Sequence, residues 1–334
     1  MTRYLFVLLL IFSASLPAAT IDDVTRRGSL RCGVSTGLAG FALKNAQGKW
    51  QGFDVDMCRA VAVAVLGDAE KVEFVPLKSD ERIPALASGK VDVLARNTTW
   101  TLSRDLDMGI SFAATVYYDG QGFMVSRASG KRSALELDGA RICVQKGSTS
   151  EINVRGYFSV NRMKYTAVMA DSPGEALQAF MEGRCDAITS DHSQLYALRS
   201  TTPRPADYRV LPEVISQEPL SLAVREGDDR WRKVVQWTVF NMINAEYLGV
   251  DQRNVQRVME NARRPETLKL LGLHQDVGRG VGLKPGWSGR IIQQVGNYGE
   301  IFDRNLGKGS GLGIGRGLNA LWNDGGLMYA PPVR

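Results

Sequence analysis

The sequence predicts an α/β fold built as two lobes, and three observations lead to that expectation. Short apolar runs alternate with amphipathic segments along the chain, which is typical of sheets connected by crossover helices. One unit of helix and strand occurs twice. Two other segments are placed where a chain would cross from one lobe to the other and return.

The alternation starts early in the chain. Residues 29–34 (SLRCGV) indicate a buried strand, and residues 54–66 (DVDMCRAVAVAVL) indicate an amphipathic helix that ends at Gly67. The later segments are, in order, VEFVPL, ERIPALASG, VDVLAR, RICVQ, TSEINVRGYF, MKYTAVM, GEALQAFMEG and CDAITS. We therefore expect parallel sheets whose strands are joined by helices.

The repeat aligns residues 83–97 (IPALASGKVDVLARN) with residues 177–191 (LQAFMEGRCDAITSD) without a gap. Each copy indicates a helix, a glycine suited to its left-handed end, a basic residue and a buried strand. Asn97 and Asp191 then fall at the carboxyl ends of equivalent strands, where open α/β sheets bind ligands. The alternative is a chance similarity between two unrelated strand ends of one larger sheet.

Residues 117–125 (YYDGQGFMV) and 218–225 (EPLSLAVR) fit the two crossing connections. We expect the chain to leave the first lobe near Gly120, to build the second lobe, and to return. The predicted units are a first lobe of residues 20–121 and 218–275, a second lobe of residues 122–217, and a carboxyl-terminal extension of residues 276–334.

A long helix is predicted over residues 228–248, with Trp231 and Trp237 among its apolar core positions. In the extension, apolar residues at helical spacing predict a helix that packs on a lobe; they are Trp287, Ile291, Ile292, Val295, Ile301 and Phe302. The glycine-rich segment 307–317 lacks both phosphate-loop patterns and follows a helix rather than a strand. It therefore predicts a structural turn.

The amino terminus has the pattern of a cleaved secretory signal peptide. Arg3 precedes an apolar run over residues 5–12, and small residues follow. We expect residues 1–19 to be removed, with cleavage after Ala18 or Ala19. The run is shorter than the roughly 20 apolar residues of a membrane span, and Cys32 lies too far downstream for a lipid-anchored terminus. The expected location is an exported compartment.

The chain has four cysteines, and an even number in an exported protein favours disulfides. Three pairings exist; we favour Cys32–Cys58 and Cys143–Cys185 because each pair is close in sequence and lies within one predicted lobe. Four buried thiols are the alternative. No Cys-x-x-Cys motif occurs, and imidazole could come only from His192 and His274, so we expect no metal and no cofactor.

The net charge is weakly positive. The chain has 41 Lys and Arg against 35 Asp and Glu, a formal charge of +6. This excess is spread along the sequence, without a basic block or a nucleic-acid motif, and indicates a solvated surface. We expect a monomer that has no nucleic-acid partner.

A candidate anion site follows Asn97. The segment that runs to Arg104 contains a cluster of hydroxyls and opens a helix predicted to start near Thr101. Hydroxyls and free backbone N–H groups at a helix start suit a carboxylate, and the Arg fork can hold both of its oxygens. In the second predicted lobe, Thr149 lies in another donor-rich helix start (GSTSE); helix capping by Ser148 or Thr149 is the alternative.

Asp191 could complement Arg104. A carboxylate facing that guanidinium across a cleft would match a zwitterion, with Arg104 on the α-carboxylate and Asp191 on the α-ammonium. The alternative is that Asp191 only caps the helix that starts at His192.

Several motifs resemble the polar amino-acid solute-binding proteins of bacterial ABC importers, solute-binding protein family 3. They are GFDVDM (52–57), IPALASGKVDV (83–93), NTTWTLSR (97–104), YYDGQGF (117–123), QKGST (145–149) and GRCDAITSD (183–191). Three more are similar to the general L-amino-acid-binding branch; they are CRAVA (58–62), QVGNYGEIF (294–302) and LNALW…GGLMYAPP (318–332).

This resemblance implies a type II periplasmic-binding-protein-like fold, with two hinge strands and a helical carboxyl-terminal extension, that closes on an L-amino acid. It places Arg104 on the α-carboxylate, helped by Thr99 and the Thr149 loop, and Asp191 with the backbone at Asn97 on the α-ammonium. The implied partners are L-amino acids and the permease subunits of an ABC importer.

Two residues expected near the ligand's side chain differ from those of some family members. Leu38 and Ser79 stand where relatives that bind basic amino acids have aromatic residues. A permissive pocket is therefore expected, with Phe41 and Trp100 as candidate lining residues or simply as core.

Two other functions compete with transport binding. The same fold can host a dehydratase for cyclohexadienyl substrates, but the chain has no G-x-S-x-G motif and His192 has no nucleophile beside it in sequence. A receptor's sensory domain would need a transmembrane helix. We therefore expect a binding protein and not an enzyme.

Overall fold

The computed structural model describes residues 19–273 and 277–333. Apart from Ala19, the predicted signal peptide lies outside these residues, and so does the predicted boundary between the first lobe and the extension at residues 275 and 276. Within the described ranges, none of the helices combines the length and apolar character needed to cross a membrane.

Strands and helices alternate as the sequence predicts. The strands are β1 (Leu30–Ser35), β2 (Leu43–Lys44), β3 (Trp50–Gln51), β4 (Val72–Leu77), β5 (Val93–Leu94), β6 (Ile110–Asp119), β7 (Gln121–Ser126), β8 (Ala140–Gln145), β9 (Tyr165–Ala170), β10 (Ala187–Asp191), β11 (Tyr208–Val210) and β12 (Glu218–Arg225). The α-helices are α1 (Thr20–Arg27), α2 (Phe53–Leu66), α3 (Arg82–Ala87), α4 (Leu102–Asp107), α5 (Thr149–Val160), α6 (Pro173–Met181), α7 (His192–Ser200), α8 (Asp229–Tyr247), α9 (Val255–Asn261), α10 (Pro265–Leu270), α11 (Trp287–Gln294) and α12 (Tyr298–Asn305).

Two five-stranded sheets organise the molecule. The first has the order β4-β1-β5-β12-β6 and the second has the order β11-β7-β10-β8-β9. We call the parts built on them lobe 1 and lobe 2. Helices α2 and α8 pack on the first sheet, and α5, α6 and α7 pack on the second. The α/β architecture in two lobes is therefore confirmed.

The expectation of parallel sheets is only partly right. Strands β4, β1 and β5 are parallel, as are β10, β8 and β9. Strand β12 is antiparallel to both β5 and β6, and β7 is antiparallel to β10 and β11. The chain leaves lobe 1 along β6 and returns along β12, so these neighbours must run in opposite directions.

The internal repeat corresponds to equivalent structures in the two lobes. Helix α3 precedes β5, and α6 precedes β10, with Gly89 (φ 75°) and Gly183 (φ 72°) at the turns between them. A side chain is strained at such positive φ values, which explains the glycine in each copy. Strand β5 lies between β1 and β12, and β10 lies between β8 and β7.

Helix α8 has one face in the core of lobe 1 and one face toward solvent. Trp231 is fully buried, and its indole N–H donates to the Asp92 carbonyl over 2.7 Å. Trp237 is 37% exposed, so its assignment to the core is wrong. It occupies the outward side of the helix, where a large apolar ring is tolerated singly.

The extension packs on lobe 1, but as two helices rather than one. Helices α11 and α12 contact α2 and α8. They are separated at Asn297, whose side chain accepts from the Glu300 backbone N–H in a reciprocal capping box that starts a new helix. The segment 307–317 contains no α-helix or strand. Arg316, near the end of this segment, forms an ion pair with Glu246 of α8 over 2.9 Å.

Both favoured disulfides are present in the structure. Cys32 on β1 bonds to Cys58 on α2, with 6.1 Å between their Cα atoms, and Cys143 on β8 bonds to Cys185, with 5.6 Å between theirs. Each bridge therefore stays within one lobe.

Candidate functional site

The predicted site residues lie where the two crossing segments meet. The chain passes from β6 to β7 at Gly120, and Glu218 at the start of β12 is paired with Asp119 at the end of β6. The lobes touch across this region. Lys78 of lobe 1 forms an ion pair with Asp171 of lobe 2 over 3.2 Å.

Arg104 is held on the lobe 1 side of the cleft by its own loop. Helix α4 starts where the sequence predicts, with Thr101 as its N-cap, which accepts from the Arg104 backbone N–H over 3.4 Å. The Arg104 guanidinium donates to the Thr99 carbonyl over 2.9 Å and is only 6% exposed. Burial lowers the pKa of Arg104, and the carboxylates of Glu218 and Asp191 partly oppose this.

Asn97 lies in a left-handed backbone conformation, with φ 40°. Its carbonyl accepts from the Arg82 guanidinium over 3.2 Å, and its side-chain amide nitrogen is buried without a hydrogen-bond partner among the described residues. Strained, unsatisfied positions concentrate at functional sites. The carbonyl has a second lone pair, which leaves it able to accept a further donor.

Thr149 reaches the cleft from lobe 2. Ser148 is the N-cap residue of α5, but its hydroxyl donates to the Gln145 carbonyl over 2.6 Å and makes no side-chain cap bond. The Thr149 hydroxyl donates to Glu218 over 2.9 Å and lies 3.4 Å from the Thr99 hydroxyl of lobe 1. The alternative of simple helix capping by these hydroxyls is therefore wrong.

Asp191 is the last residue of β10 and the N-cap of α7, but its side chain makes no cap bond. One carboxylate oxygen accepts from the Gln194 amide over 3.0 Å, and the residue is 4% exposed. Burial raises the pKa of Asp191 well above its usual range, and the nearby carboxylates of Asp119 and Glu218 raise it further. A cation placed beside this carboxylate would relieve that penalty.

The structure brings the five predicted site residues to one region. The carboxylate of Asp191 acts to raise the pKa of Arg104, yet none of the ion pairs among the described residues joins the two. The cleft therefore has a guanidinium and a carboxylate that are both buried and not paired with each other.

Sequence reasoning missed Glu218, which is 2% exposed and lies between the lobes. One of its oxygens accepts from the hydroxyls of Thr99 (2.5 Å) and Thr149 (2.9 Å). The other accepts from Asn153 (2.7 Å) and Ser216 (2.6 Å). The available signal was an acidic residue at the start of an otherwise apolar crossing strand, EPLSLAV.

Two more buried guanidinium groups were also missed. Arg82 donates to the carbonyls of Arg96 and Asn97, and Arg96 donates to the Leu77 carbonyl over 2.9 Å. Each retains a buried N–H nitrogen without a partner among the described residues. Burial lowers the pKa of Arg82 well below its usual range and lowers that of Arg96 to about 10.

Asp54 lies near these arginines at the start of α2. Burial raises the pKa of its carboxyl from 3.8 to about 7, although the Asn97 backbone N–H and the Arg96 charge both act to lower it. The lobe 1 side of the cleft is therefore rich in positive charge, with one carboxyl that is partly protonated near neutral pH.

The candidate pocket residues differ in their surroundings. Phe41 is fully buried and packs edge-on against Phe53 and Tyr117, so it is core. Trp100 is 38% exposed and stacks on Phe112, with 5.2 Å between ring centroids. Ser79 accepts from the Arg96 guanidinium over 3.4 Å.

Two α/β lobes in contact over a cleft of buried, complementary charges define a two-lobed ligand-binding protein. The chain belongs to the bacterial extracellular solute-binding proteins, family 3, whose family model matches residues 30–251. The family comprises binding proteins, not enzymes.

Relatives with known names match nearly the whole chain. The general L-amino acid-binding periplasmic protein AapJ of Rhizobium johnstonii is 51% identical over 95% of this chain and 93% of its own length. The glutamate/glutamine/aspartate/asparagine-binding protein BztA of Rhodobacter capsulatus is 50% identical over 95% of this chain and 94% of its own. These relatives are binding proteins rather than enzymes.

A solved structure shares the complete fold. A periplasmic binding protein of an ABC transporter from Brucella ovis, with glutathione bound, is 53% identical and superposes with a TM-score of 0.92. The match covers 95% of this chain and 100% of that chain.

Proposed function

We propose that this protein captures L-amino acids between its two lobes and delivers them to the permease subunits of an ABC importer. The observation that carries this proposal is that Arg104 and Asp191 are both buried at the cleft and that no ion pair among the described residues joins them. Burial disfavours the charged form of each group. A zwitterion supplies a carboxylate to the first and an ammonium to the second, so one ligand offsets both penalties.

The proposed roles follow from the chemistry of each group. Arg104 holds the α-carboxylate with its fork, supported by backbone N–H groups of the Thr99 segment and of the Thr149 loop at the start of α5. Asp191 and the carbonyl of Asn97 accept from the α-ammonium. Arg82 and Arg96 each have a buried N–H group without a partner in the part of the chain that the structure describes, which supports a further role in holding an acidic or amide side chain.

The named relatives support the ligand class. AapJ is a general L-amino-acid-binding protein, BztA binds glutamate, glutamine, aspartate and asparagine, and the Brucella protein holds glutathione. We therefore propose a broad set of L-amino acids that includes the acidic ones and their amides, and glutathione is a candidate to be tested beside them.

The domain boundaries drawn from the sequence are also part of this proposal. Lobe 1 comprises residues 20–121 and 218–275, lobe 2 comprises residues 122–217, and residues 276–334 form the extension. The membership of β6 and β12 in the first sheet and of β7 to β11 in the second supports these limits. Gly120 and the residues before Glu218 are the proposed hinges.

We further propose that residues 1–19 are a cleaved signal peptide, and that the mature protein is a periplasmic monomer without a lipid anchor or a nucleic-acid partner. The family, which is extracellular, supports an exported location. Mass spectrometry of the purified periplasmic protein tests cleavage and lipidation, and light scattering tests the monomer.

Calorimetric titration tests the ligand class. Refolded, ligand-free protein is titrated with each common L-amino acid, with glutathione, and with the decarboxylated amines of the amino acids that bind. We expect several amino acids to bind and their amines not to bind. Equal affinity for an amino acid and its amine would contradict the role of Arg104, and a product mass in the reaction mixture would support the dehydratase alternative.

A further inference from the structure

The side chain of Glu218 makes hydrogen bonds to both lobes. Its carboxylate accepts four hydrogen bonds, from Thr99 of lobe 1, from Thr149 and Asn153 of lobe 2, and from Ser216 in the returning segment. A buried carboxylate is costly unless donors surround it, and here the donors come from separate parts of the fold.

The number of hydroxyl protons limits the hydrogen bonds that Thr99 and Thr149 can donate. A threonine hydroxyl has one proton, and an ionised carboxylate can only accept. Because Thr99 and Thr149 share the same Glu218 oxygen, each gives its one proton to that oxygen. Neither hydroxyl then has a proton left for a ligand carboxylate, and only their lone pairs remain available.

The geometry also depends on the relative position of the lobes. The two threonine oxygens are 3.4 Å apart although they belong to different lobes. Separating the lobes would pull at least one hydroxyl away from the shared oxygen and expose the carboxylate to water. The complete set of hydrogen bonds therefore exists only when the lobes are in contact.

We propose that Glu218 is a positioning residue for ligand retention: it joins the two lobes through Thr99 and Thr149 in the closed arrangement and orients their hydroxyls. This inference rests on the proposed function, because it assumes a ligand that is held by closure. Glu218 acts through the threonines and the lobe contact, so it slows ligand release without deciding which amino acid is preferred.

Glu218→Gln tests the role while keeping the side chain's shape. One acceptor oxygen becomes an NH₂ group, so two of the four donors lose their acceptor. For L-glutamine and L-glutamate we expect the Kd to rise about tenfold or more, mainly through faster release in stopped-flow fluorescence. The rank order of amino acids in calorimetry should not change.

Asn153→Ala provides a second variant, because the Asn153 amide donates to Glu218 over 2.7 Å. Asn153 is on α5, outside the proposed ligand contacts, and we expect a smaller rise in Kd in the same direction. The effects of Glu218→Gln and Asn153→Ala should be less than additive, since both act on one cluster. This variant also keeps the proposal testable if Glu218→Gln does not fold.

Glu246→Gln is the matched control. Glu246 is a partly buried carboxylate paired with Arg316, away from the cleft, so its loss can reduce stability but should leave the Kd and the release rate unchanged. Two results would overturn this inference alone. One is a folded Glu218→Gln protein that releases its ligand at the wild-type rate. The other is an equal increase of the release rate in Glu246→Gln. Failure of the wild type to bind any amino acid would overturn the proposed function as well.

Discussion

The side-chain amide of Asn319 pairs with both backbone groups of Tyr118. Its oxygen accepts from the Tyr118 N–H over 2.6 Å, and its nitrogen donates to the Tyr118 carbonyl over 3.0 Å. Tyr118 lies on β6, the edge strand of the first sheet, two residues before Gly120. The extension thus satisfies the open edge of the strand that leads into lobe 2.

Asn319→Ala should destabilise the protein by about 1–3 kcal/mol, because two partly buried backbone groups lose their partner. Thermal and urea unfolding of the two proteins measures this. Asn261→Ala is the control, since Asn261 donates to the Arg257 carbonyl on an exposed helix end and should have little effect. If both variants unfold like the wild type, the contact does not stabilise the edge strand.

Truncation after residue 275 should lower thermal stability or solubility and leave the order of amino-acid preference nearly unchanged. The extension buries Trp287, Ile291 and Phe302, and its removal exposes the apolar surfaces of α2 and α8 that they cover. We expect a loss of about 5 °C or more in Tm. A folded truncation with a reordered preference in calorimetry would show that the extension contributes to the pocket.

Much of the fold could be predicted because local patterns determine it. Strand and helix alternation, the glycines at 89 and 183, and cysteine pairs close in sequence all act over short distances. The antiparallel pairing of β12 could not be derived from residues 218–225 alone, since it depends on the chain returning beside β6.

The site was predictable only in part. Thr99 and Arg104 follow a strand end and Asp191 is the last residue of a strand, which gives a physical reason to select them. The local signal at Glu218 and Arg82 is weak, because an acidic residue at a strand start or an Arg at a helix start is usually solvent-exposed. Their importance depends on burial and on partners far away in the sequence, such as Thr149 for Glu218.

The raised pKa of Asp54 leads us to expect that the stability of the ligand-free protein depends on pH. Its pKa in the folded state is about 7, above the ordinary 3.8, so the folded state retains a proton that the unfolded state releases. The contribution of Asp54 to stability is fully present at a pH below its ordinary pKa of 3.8. It is lost as the pH rises toward its folded-state pKa of about 7.

Asp54→Asn should therefore gain stability relative to the wild type between pH 4.5 and pH 7.5, by on the order of 2–4 kcal/mol. Urea unfolding at the two pH values measures the difference. Asp186→Asn is the control: Arg141 lowers the pKa of Asp186, so its effect should be flat over this interval. A flat difference for Asp54→Asn as well would contradict the protonated carboxyl.

Arg104→Lys should weaken amino-acid binding by about 1.5–3 kcal/mol, since lysine keeps the charge but cannot form the fork with both carboxylate oxygens. Calorimetry of the ligand-free protein measures the change. Arg184→Lys is the control, because Arg184 is exposed on lobe 2 and pairs only locally with Glu182. Unchanged affinity in Arg104→Lys would remove this residue from the carboxylate site.

Closure should be visible in solution. If Gly120 and the segment before Glu218 are hinges, a ligand that binds the closed state shifts the population toward it. Small-angle scattering should then show a smaller radius of gyration with saturating amino acid than without. Lys78→Ala removes an exposed ion pair between the lobes, and since such pairs contribute about 0–1 kcal/mol, the variant should still close on its ligand. Identical scattering with and without ligand, at concentrations where calorimetry shows binding, would contradict the hinge assignment and leave the amino-acid site itself in place.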